Sequence, residues 1–299
     1  MTDLELQRNT TKVKHRRGWR IISRDLDILL AIYRFRFLTR QLLEWTFFPS
    51  ERADFDGRSS LAARRLQALH QAGYVQRLVL PMLPGTGRSP LVYALSSRGA
   101  DAVASRLGVD REDVDWQPRH NRATAFFMEH TLAIARLCAS LTAVLRGRDA
   151  RIGRWIGEGE LRRRQTRVFE YPAHHWLPLR PDGYFELHWP DDSKMEFFVE
   201  VDMGTETNER FVRKIRAYER YQREGFERDY GRSRFEVLVV TSSAKRIDNL
   251  RRAVRRAVRQ DFCLFTTLDA LHPSRVLTGW EDMDGEAIEL AEVQADRRE

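Results

Sequence analysis

Residues 59–73 read SSLAARRLQALHQAG, and this stretch decides the fold of the first part of the chain. Its apolar residues Ala62, Leu66 and Leu69 recur at helical spacing and predict one buried face, while arginine and glutamine fall on another. A serine before this run and Gly73 after it are typical residues for starting and ending a helix. The stretch therefore predicts a helix with an outward-facing polar surface.

Two helices precede this stretch, and a hairpin and a fourth helix follow it. Thr39 is a suitable N-cap for the second helix. The β-rich runs 74–80 and 91–95 are joined by turn residues and predict a hairpin. The predicted apolar stripe of the first helix consists of Leu26, Leu29, Leu30 and Tyr33. Residues 21–108 therefore predict a winged helix-turn-helix with this hairpin as its wing.

A third helix of this kind can enter the major groove of double-stranded DNA, which is about 12 Å wide. Arginine can pair with guanine and glutamine with adenine through two hydrogen bonds each. A basic wing tip such as Arg88 can reach the backbone or the minor groove. The predicted DNA contacts on the helix are Arg64, Arg65, Gln67 and Gln71. The alternative is a winged helix that contacts only protein.

Basic residues outnumber acidic ones by 51 to 43, which gives a formal charge of +8. This sign suits a polyanionic partner such as DNA. Residues 1–20 predict a basic flexible arm, which is either solvated or in contact with the DNA backbone. The basic residues assigned to DNA there are Lys12, Lys14, Arg16 and Arg17.

Cysteine content and hydropathy exclude several other classes of protein. Cys138 and Cys263 are the two cysteines and lie far apart, so neither a disulfide framework nor a zinc site is predicted. The N-terminal residues contain no apolar export signal, and no stretch approaches about 18 uninterrupted apolar residues. We expect a cytoplasmic protein with no membrane partner.

The rest of the chain has a different pattern. Residues 109–121 have no sustained period and predict a linker, which is followed by a second domain at 122–280. After a long helical pattern at 124–145, strands alternate with helices, which predicts an α/β domain. The predicted strands are 151–155, 183–188, 196–201, 235–240 and 263–266, and the predicted helices are 207–223 and 245–259. Residues 281–299 predict an acidic, frayed tail. The expected fold class is α/β (α+β) in two domains.

Two acidic motifs fall at the ends of neighbouring predicted strands. Pro181-Asp182 starts one strand, and Phe197-Phe-Val-Glu200-Val-Asp202 ends the next. Asp182 and Glu200 can converge on one Mg²⁺ ion, which prefers oxygen ligands. Alternatively both acids are structural, with Asp182 in a turn and Glu200 paired to an arginine. Magnesium is a cofactor only if this site is active.

The order of helix, three strands, helix and strand over 124–267 resembles the PD-(D/E)xK nuclease superfamily. The resemblance implies metal-ligand roles for Asp182 and Glu200, and it offers Glu158 or Glu160 as a further acid. Asp202 occupies the position of the superfamily's catalytic lysine, where it would add a third carboxylate. Lys214 on the following helix is either a displaced catalytic lysine or a solvated surface residue.

Several short segments carry a second resemblance that spans most of the chain. They are DLDILL at 25–30, LVYALSSRG at 91–99, Glu129-His130, PDG at 181–183, VEVDMGTE at 199–206 and the helix 214–221. In this order they resemble the replication-relaxation family of bacterial plasmid and mobile-element proteins. The resemblance implies a DNA-binding accessory or regulatory role in replication, relaxation or mobilisation. A Mg²⁺-dependent endonuclease and an adaptor that recruits a relaxase or replication initiator are the alternatives, and a homodimer is left open.

Overall fold

The structure is a computed structural model that describes residues 20–49, 55, 57–80, 90–171 and 174–290. Contacts divide the chain into two compact units, Met1–Ala139 and Ser140–Glu299. Helices and strands are mixed, which confirms the predicted α+β class. The DNA contacts predicted at Lys12, Lys14, Arg16, Arg17 and Arg88, and the last nine residues, 291–299, lie outside the described residues.

Unit 1 contains a helical group and a small antiparallel sheet. Its elements are α1 (Ser23–Phe35), β1 (Leu38–Thr39), α2 (Arg40–Phe47), α3 (Ser60–Gln71), β2 (Val75–Val79), β3 (Leu91–Leu95) and α4 (Ser97–Leu107). The strands lie in the order β1-β3-β2, with Leu38 opposite Tyr93 and Val75 opposite Leu95. β1 is only two residues long, and the sequence pattern did not predict it.

Side-chain caps begin the helices of unit 1 at the predicted places. Thr39 Oγ1 accepts a hydrogen bond from Leu42 N at 3.4 Å, and Ser59 Oγ accepts one from Ala62 N at 3.1 Å. Each satisfies a backbone N–H group that has no partner inside its helix. After α3 the chain turns at Gly73, whose φ of 77° favours glycine. The predicted N-cap Thr39 is confirmed, and of the two serines that the sequence offers, Ser59 and Ser60, it is Ser59 that caps α3.

The buried face of α1 differs from the predicted stripe. Its buried residues are Asp25, Ile28, Leu29 and Ile32, whereas Leu26, Leu30 and Tyr33 are only half-buried. The reason is Asp25, whose carboxylate is 0% exposed and accepts hydrogen bonds from the guanidinium of Arg65. The spacing of apolar residues cannot reveal a buried helix face that includes an acid paired with an arginine.

The segment predicted as a linker is packed against the first unit. Val114 and Trp116 are buried, and Asn121 Nδ2 donates a hydrogen bond to Leu95 O at 2.7 Å. The long helix α5 (Ala125–Leu145) follows, and the boundary between the units falls within it. Among the described residues, α5 is the one helix long and apolar enough to cross a membrane, but 56% of its apolar window is buried inside the molecule. Core helices of soluble proteins pass the same test.

Unit 2 is built on a seven-stranded sheet in the order β12-β11-β10-β9-β8-β7-β4. Its strands are β4 (Arg151–Gly157), β7 (Gly183–His188), β8 (Lys194–Asp202), β9 (Glu236–Thr241), β10 (Cys263–Thr267), β11 (Trp280–Glu281) and β12 (Ala287–Ile288). A separate hairpin consists of β5 (Arg167–Glu170) and β6 (His175–Pro178). The helices of this unit are α6 (Glu158–Arg164), α7 (Asn208–Glu224), α8 (Phe226–Tyr230) and α9 (Ala244–Arg255).

The direction of the strands changes in the middle of this sheet. β4, β7 and β8 are antiparallel neighbours, whereas β8, β9 and β10 run parallel and are connected through α7 and α9. The aromatic side chains of Phe198, Tyr218 and Phe235 pack together between the sheet and α7. This packing brings the polar residues of α7 next to the end of β8.

Most strands of unit 2 were predicted to within two residues. The structure of residues 280–290, at the end of this unit, was not predicted. Residues 280–288 form the β11–β12 hairpin, with Trp280 opposite Ile288, and Leu290 is buried. The expectation that the chain frays from Glu281 is therefore wrong for residues 281–290. Apolar anchors outweigh the acidic composition there, because Trp280, Met283 and Leu290 are each at most 2% exposed.

Candidate functional site

Asp182 is held against β8 by two hydrogen bonds. Its backbone N–H donates to Val199 O at 3.0 Å, and its carboxylate Oδ2 accepts from Val201 N at 2.8 Å. The side chain thus lies beside the backbone that carries Glu200. The carboxylate thereby extends the pairing between β8 and the start of β7.

Glu200 is 1% exposed, and both of its carboxylate oxygens are occupied. Oε1 accepts a hydrogen bond from Tyr218 Oη at 2.5 Å, and Oε2 accepts one from Lys214 Nζ at 2.7 Å. Lys214 Nζ also lies 3.4 Å from Glu206 Oε2. The structure therefore brings Lys214 to Glu200, and the cation that pairs with Glu200 is this lysine rather than an arginine.

The electrostatics of this pair follow from its burial. Burial raises the pKa of Glu200 to about 7, although the ammonium of Lys214 acts in the opposite direction. Burial alone would lower the pKa of Lys214, but the nearby carboxylate of Glu200 outweighs it and raises that pKa. Burial and the same carboxylate raise the pKa of Tyr218. Lys214 thus stays charged beside Glu200, whose own pKa lies above its usual range because of burial.

Asp202, at the position where the nuclease resemblance expects a lysine, is paired with an arginine of α9. Arg246 Nε lies 2.5 Å from Asp202 Oδ2, and their side chains are 16% and 2% exposed. The other arginine nitrogens donate to Asn208 Oδ1 at 2.7 Å and Glu206 O at 2.6 Å. Sequence reasoning missed Arg246, because it lies 44 residues from Asp202 and belongs to no local motif.

The acidic residues offer few free ligands for a metal. Within the described part of the chain, no group of three or more histidine, cysteine, aspartate or glutamate residues could hold a metal ion. Glu158 and Glu160, the further acids offered by the sequence, lie on α6 and pair with Arg162 and Arg164 one turn away. As folded, the cluster provides buried carboxylates that are paired with Lys214 and Arg246.

The polar side chains of α3 point in different directions. Arg64 and Gln67 are exposed and Gln71 is half-buried. Arg65 turns toward α1, where its Nε lies 2.6 Å from Asp25 Oδ1 and its Nη2 donates to Arg20 O at 3.0 Å. Of the four residues predicted on this helix, Arg65 is therefore the one engaged in an internal ion pair. Arg64 and Arg65 are adjacent in the sequence, and the sequence alone could not show which of them faces inward.

Taken together, these features define an α+β protein with a helical unit that presents an open polar helix and an α/β unit whose acids are internally paired. The replication-relaxation family model matches residues 29–234, more than half of the chain, and the protein belongs to this family. No curated protein and no solved structure matches the chain. Family membership points to a role in the replication or relaxation of plasmids or mobile elements.

Proposed function

We propose that this protein is a double-stranded DNA-binding accessory or regulatory protein of plasmid or mobile-element replication, relaxation or mobilisation. The observation that carries the proposal is the open face of α3, where Arg64 and Gln67 are exposed beside the half-buried Gln71. Arginine and glutamine are side chains that read guanine and adenine in the major groove.

The surrounding elements support this use of α3. Their order of helix, short strand, two helices and hairpin, with a β1-β3-β2 sheet, is the order we expect of a winged helix-turn-helix and supports this proposal. A base-reading helix needs a fixed orientation, and buried polar contacts supply it. Glu44 Oε1 accepts hydrogen bonds from Ser59 N at 3.1 Å and from Arg40 Nε at 2.7 Å, which ties α2 to the start of α3.

The ion pair between Arg65 and Asp25 fixes α3 against α1 in the same way. Asp25 also accepts a hydrogen bond from Ile22 N at 2.8 Å, so it joins the first turn of α1 to the middle of α3. We therefore assign base reading to Arg64, Gln67 and Gln71 and a positioning role to Arg65. Arg88 and the basic residues of the arm would add contacts to the DNA backbone.

We propose that the α/β unit contributes to binding and does not cleave DNA. A metal-dependent nuclease needs carboxylate oxygens that are free to coordinate Mg²⁺. Here Lys214 and Tyr218 occupy both oxygens of Glu200, and Arg246 neutralises Asp202. These contacts favour DNA binding over the endonuclease alternative. A relaxase or replication initiator remains the class of protein partner expected for an accessory protein.

Binding of the full-length chain to duplexes at several salt concentrations tests the proposal. The affinity should fall steeply with salt, because each phosphate contact by a cation releases counterions and adds about 0.9 to the logarithmic slope. The double variant Arg64→Ala/Gln67→Ala should weaken duplex binding, whereas Arg106→Ala on α4 is the exposed control. Salt-independent binding, or equal affinity of the parent and the α3 variant, would refute the proposed DNA-binding function.

A further inference from the structure

The outer surface of unit 2 contains a groove between α7 and the end of α9 that is lined by arginines. Four of them follow one face of α7 at spacings of three or four residues, and a fifth lies just after α9. They are Arg213, Arg216, Arg220, Arg223 and Arg256. We call this surface the arginine groove. It lies outside the buried cluster of Glu200 and Asp202.

The five arginines of the arginine groove outnumber the acids that line it. Three glutamates line it, and two of them have other partners. Glu219 Oε1 accepts a hydrogen bond from Arg259 N at 2.8 Å, and Glu170 Oε2 lies 3.4 Å from His175 Nε2. Within the described part of the chain, Arg213, Arg223 and Arg256 have no ion-pair partner and are exposed. The groove is therefore a positively charged strip open to an anionic ligand.

The β5–β6 hairpin places aromatic rings at the edge of this groove. Arg220 donates a hydrogen bond to Phe169 O, and its guanidinium lies 5.6 Å from the centre of the Tyr171 ring. Phe169 in turn contacts the rings of Tyr171 and Trp176, at centroid distances of 5.1 and 5.4 Å. Tyr171 and Trp176 are each 61% exposed. Two large rings thus face solvent on the hairpin whose Glu170 and Leu177 line the groove, and one of them, Tyr171, lies beside Arg220.

This combination points to a particular chemistry of ligand. Arginines recognise phosphate groups, and exposed aromatic rings stack on nucleobases. In a duplex the faces of the bases are covered by their neighbours, so exposed rings would have little to stack on. In a single strand the bases can turn outward and stack on aromatic side chains while a basic groove follows the backbone.

We propose that the arginine groove binds single-stranded nucleic acid, with phosphates along α7 and bases stacked on Tyr171 and Trp176. This site is independent of the winged helix proposed for duplex DNA, because its residues all belong to unit 2. One chain would then hold a duplex through α3 and a single strand through α7 and the β5–β6 hairpin.

Fluorescence anisotropy with the full-length chain and labelled DNA or RNA single strands of about 12 nucleotides tests the proposal, since one such site covers roughly 4–16 nucleotides. Trp176→Ala should weaken binding by about fivefold or more, the expected loss for one stacked base. Arg213→Ala/Arg256→Ala should weaken it and lower the logarithmic salt slope by about 1.4, or about 0.7 for each charge. Arg148→Ala, an exposed arginine that does not line the groove, is the matched control.

Further measurements distinguish this site from the winged helix and from a non-specific effect of charge. Arg64→Ala/Gln67→Ala should leave single-strand affinity unchanged, so loss of single-strand binding in that variant would overturn the proposal. It is also overturned if Trp176→Ala binds like the parent, or if the groove variants weaken duplex and single-strand binding equally. The preferred strand, DNA or RNA, identifies the source of the ligand. Because Trp176 and both arginines are exposed, these variants should keep the parent's melting temperature.

Discussion

The outer face of α3 and the end of β8 both carry the polar residues from which a function was predicted, but their side chains have different surroundings. On α3, Arg64 and Gln67 are exposed. At the end of β8, Glu200 and Asp202 are buried and are paired with Lys214 and Arg246. A charged side chain thus stabilises the fold where the chain supplies a partner of opposite charge. Where the chain supplies no such partner, the side chain is open to a ligand.

The same contrast exists between two adjacent residues. Arg64 is exposed, whereas Arg65 is bound to the fully buried Asp25. Both are arginines of the same helix, so composition and helical position do not distinguish them. The buried acid decides which one holds the fold together and which one can reach a partner.

The largest expected effect concerns the pair of Asp202 and Arg246. Arg246→Ala should lower the free energy of unfolding of the α/β unit by about 3–5 kcal/mol, because it leaves a buried carboxylate without its cation. Hydrogen exchange of the β8 and β9 amides measures this value for that unit alone. The double variant Asp202→Leu/Arg246→Leu should recover much of the loss.

Arg210→Ala is the control for this measurement. Arg210 is 80% exposed and pairs with Glu206 on the surface. Its removal should change stability by no more than about 0.5 kcal/mol. If Arg246→Ala were equally mild, Asp202 would not depend on its internal partner and could be available to a metal.

A smaller difference should separate Arg65 from Arg64. Arg65→Ala removes charged hydrogen bonds to buried Asp25 and should destabilise unit 1 by about 1.5–3 kcal/mol. Arg64→Ala should change stability by less than about 0.5 kcal/mol, since that side chain is exposed. Exchange of the α1 and α3 amides provides both values. Equal stability of the two variants would contradict the positioning role of Arg65.

The next effect is a pH dependence that arises at Glu200. Because burial raises its pKa from 4.5 to about 7, the folded protein binds more protons than the unfolded chain between these values. Stability from this group is therefore present at low pH and is lost as pH rises through about 7. Relative to Glu200→Gln, the parent should lose up to about 2.5 kcal/mol between pH 5 and pH 8, since one pKa unit corresponds to about 1.4 kcal/mol.

Unfolding in urea at both pH values gives this difference. A parent protein that gains stability over Glu200→Gln as pH rises would mean that the ion pair with Lys214 outweighs burial and that the pKa of Glu200 is lowered. A constant difference would mean that Glu200 does not titrate in this range.

The smallest expected effect is that of magnesium. Because the cluster's carboxylates have partners within the chain, adding Mg²⁺ or Mn²⁺ should not raise the melting temperature, and supercoiled plasmid should stay uncut. Asp182→Ala and Glu200→Ala serve as controls in both assays. Nicking by the parent that both variants lose would restore the endonuclease alternative, and its loss in Lys214→Ala as well would identify a displaced lysine.

The sequence predicts much of the fold because local patterns determine most elements. Apolar periods and capping residues located α2, α3, α7 and α9, and β-rich runs located the strands from β7 to β10. The two-residue β1 and the β5–β6 hairpin were missed, because such short strands are stabilised by their partners rather than by a pattern of their own. Tyr171 and Trp176, at the edge of the arginine groove, lie next to or within that hairpin and were not predicted as binding residues.

The candidate site could be predicted only in part, because pairing is a tertiary property. The sequence indicated Asp182, Glu200 and Lys214, and the structure brings Lys214 to Glu200. Tyr218 lies one helical turn after Lys214 on α7, so helical spacing places both side chains beside Glu200. Arg246, which pairs with Asp202, lies 44 residues along the chain from it, and no spacing rule connects these two positions.

The central claim is that the open face of α3 reads bases in duplex DNA, and sequence discrimination tests it most directly. The measurement compares affinities for a duplex selected by the parent from a random pool and for a scrambled duplex. Arg64→Ala and Gln67→Ala should each reduce this discrimination by about 1–3 kcal/mol, while Arg106→Ala should leave it unchanged. If the α3 variants lose equal affinity for both duplexes, α3 does not read bases and the account is contradicted.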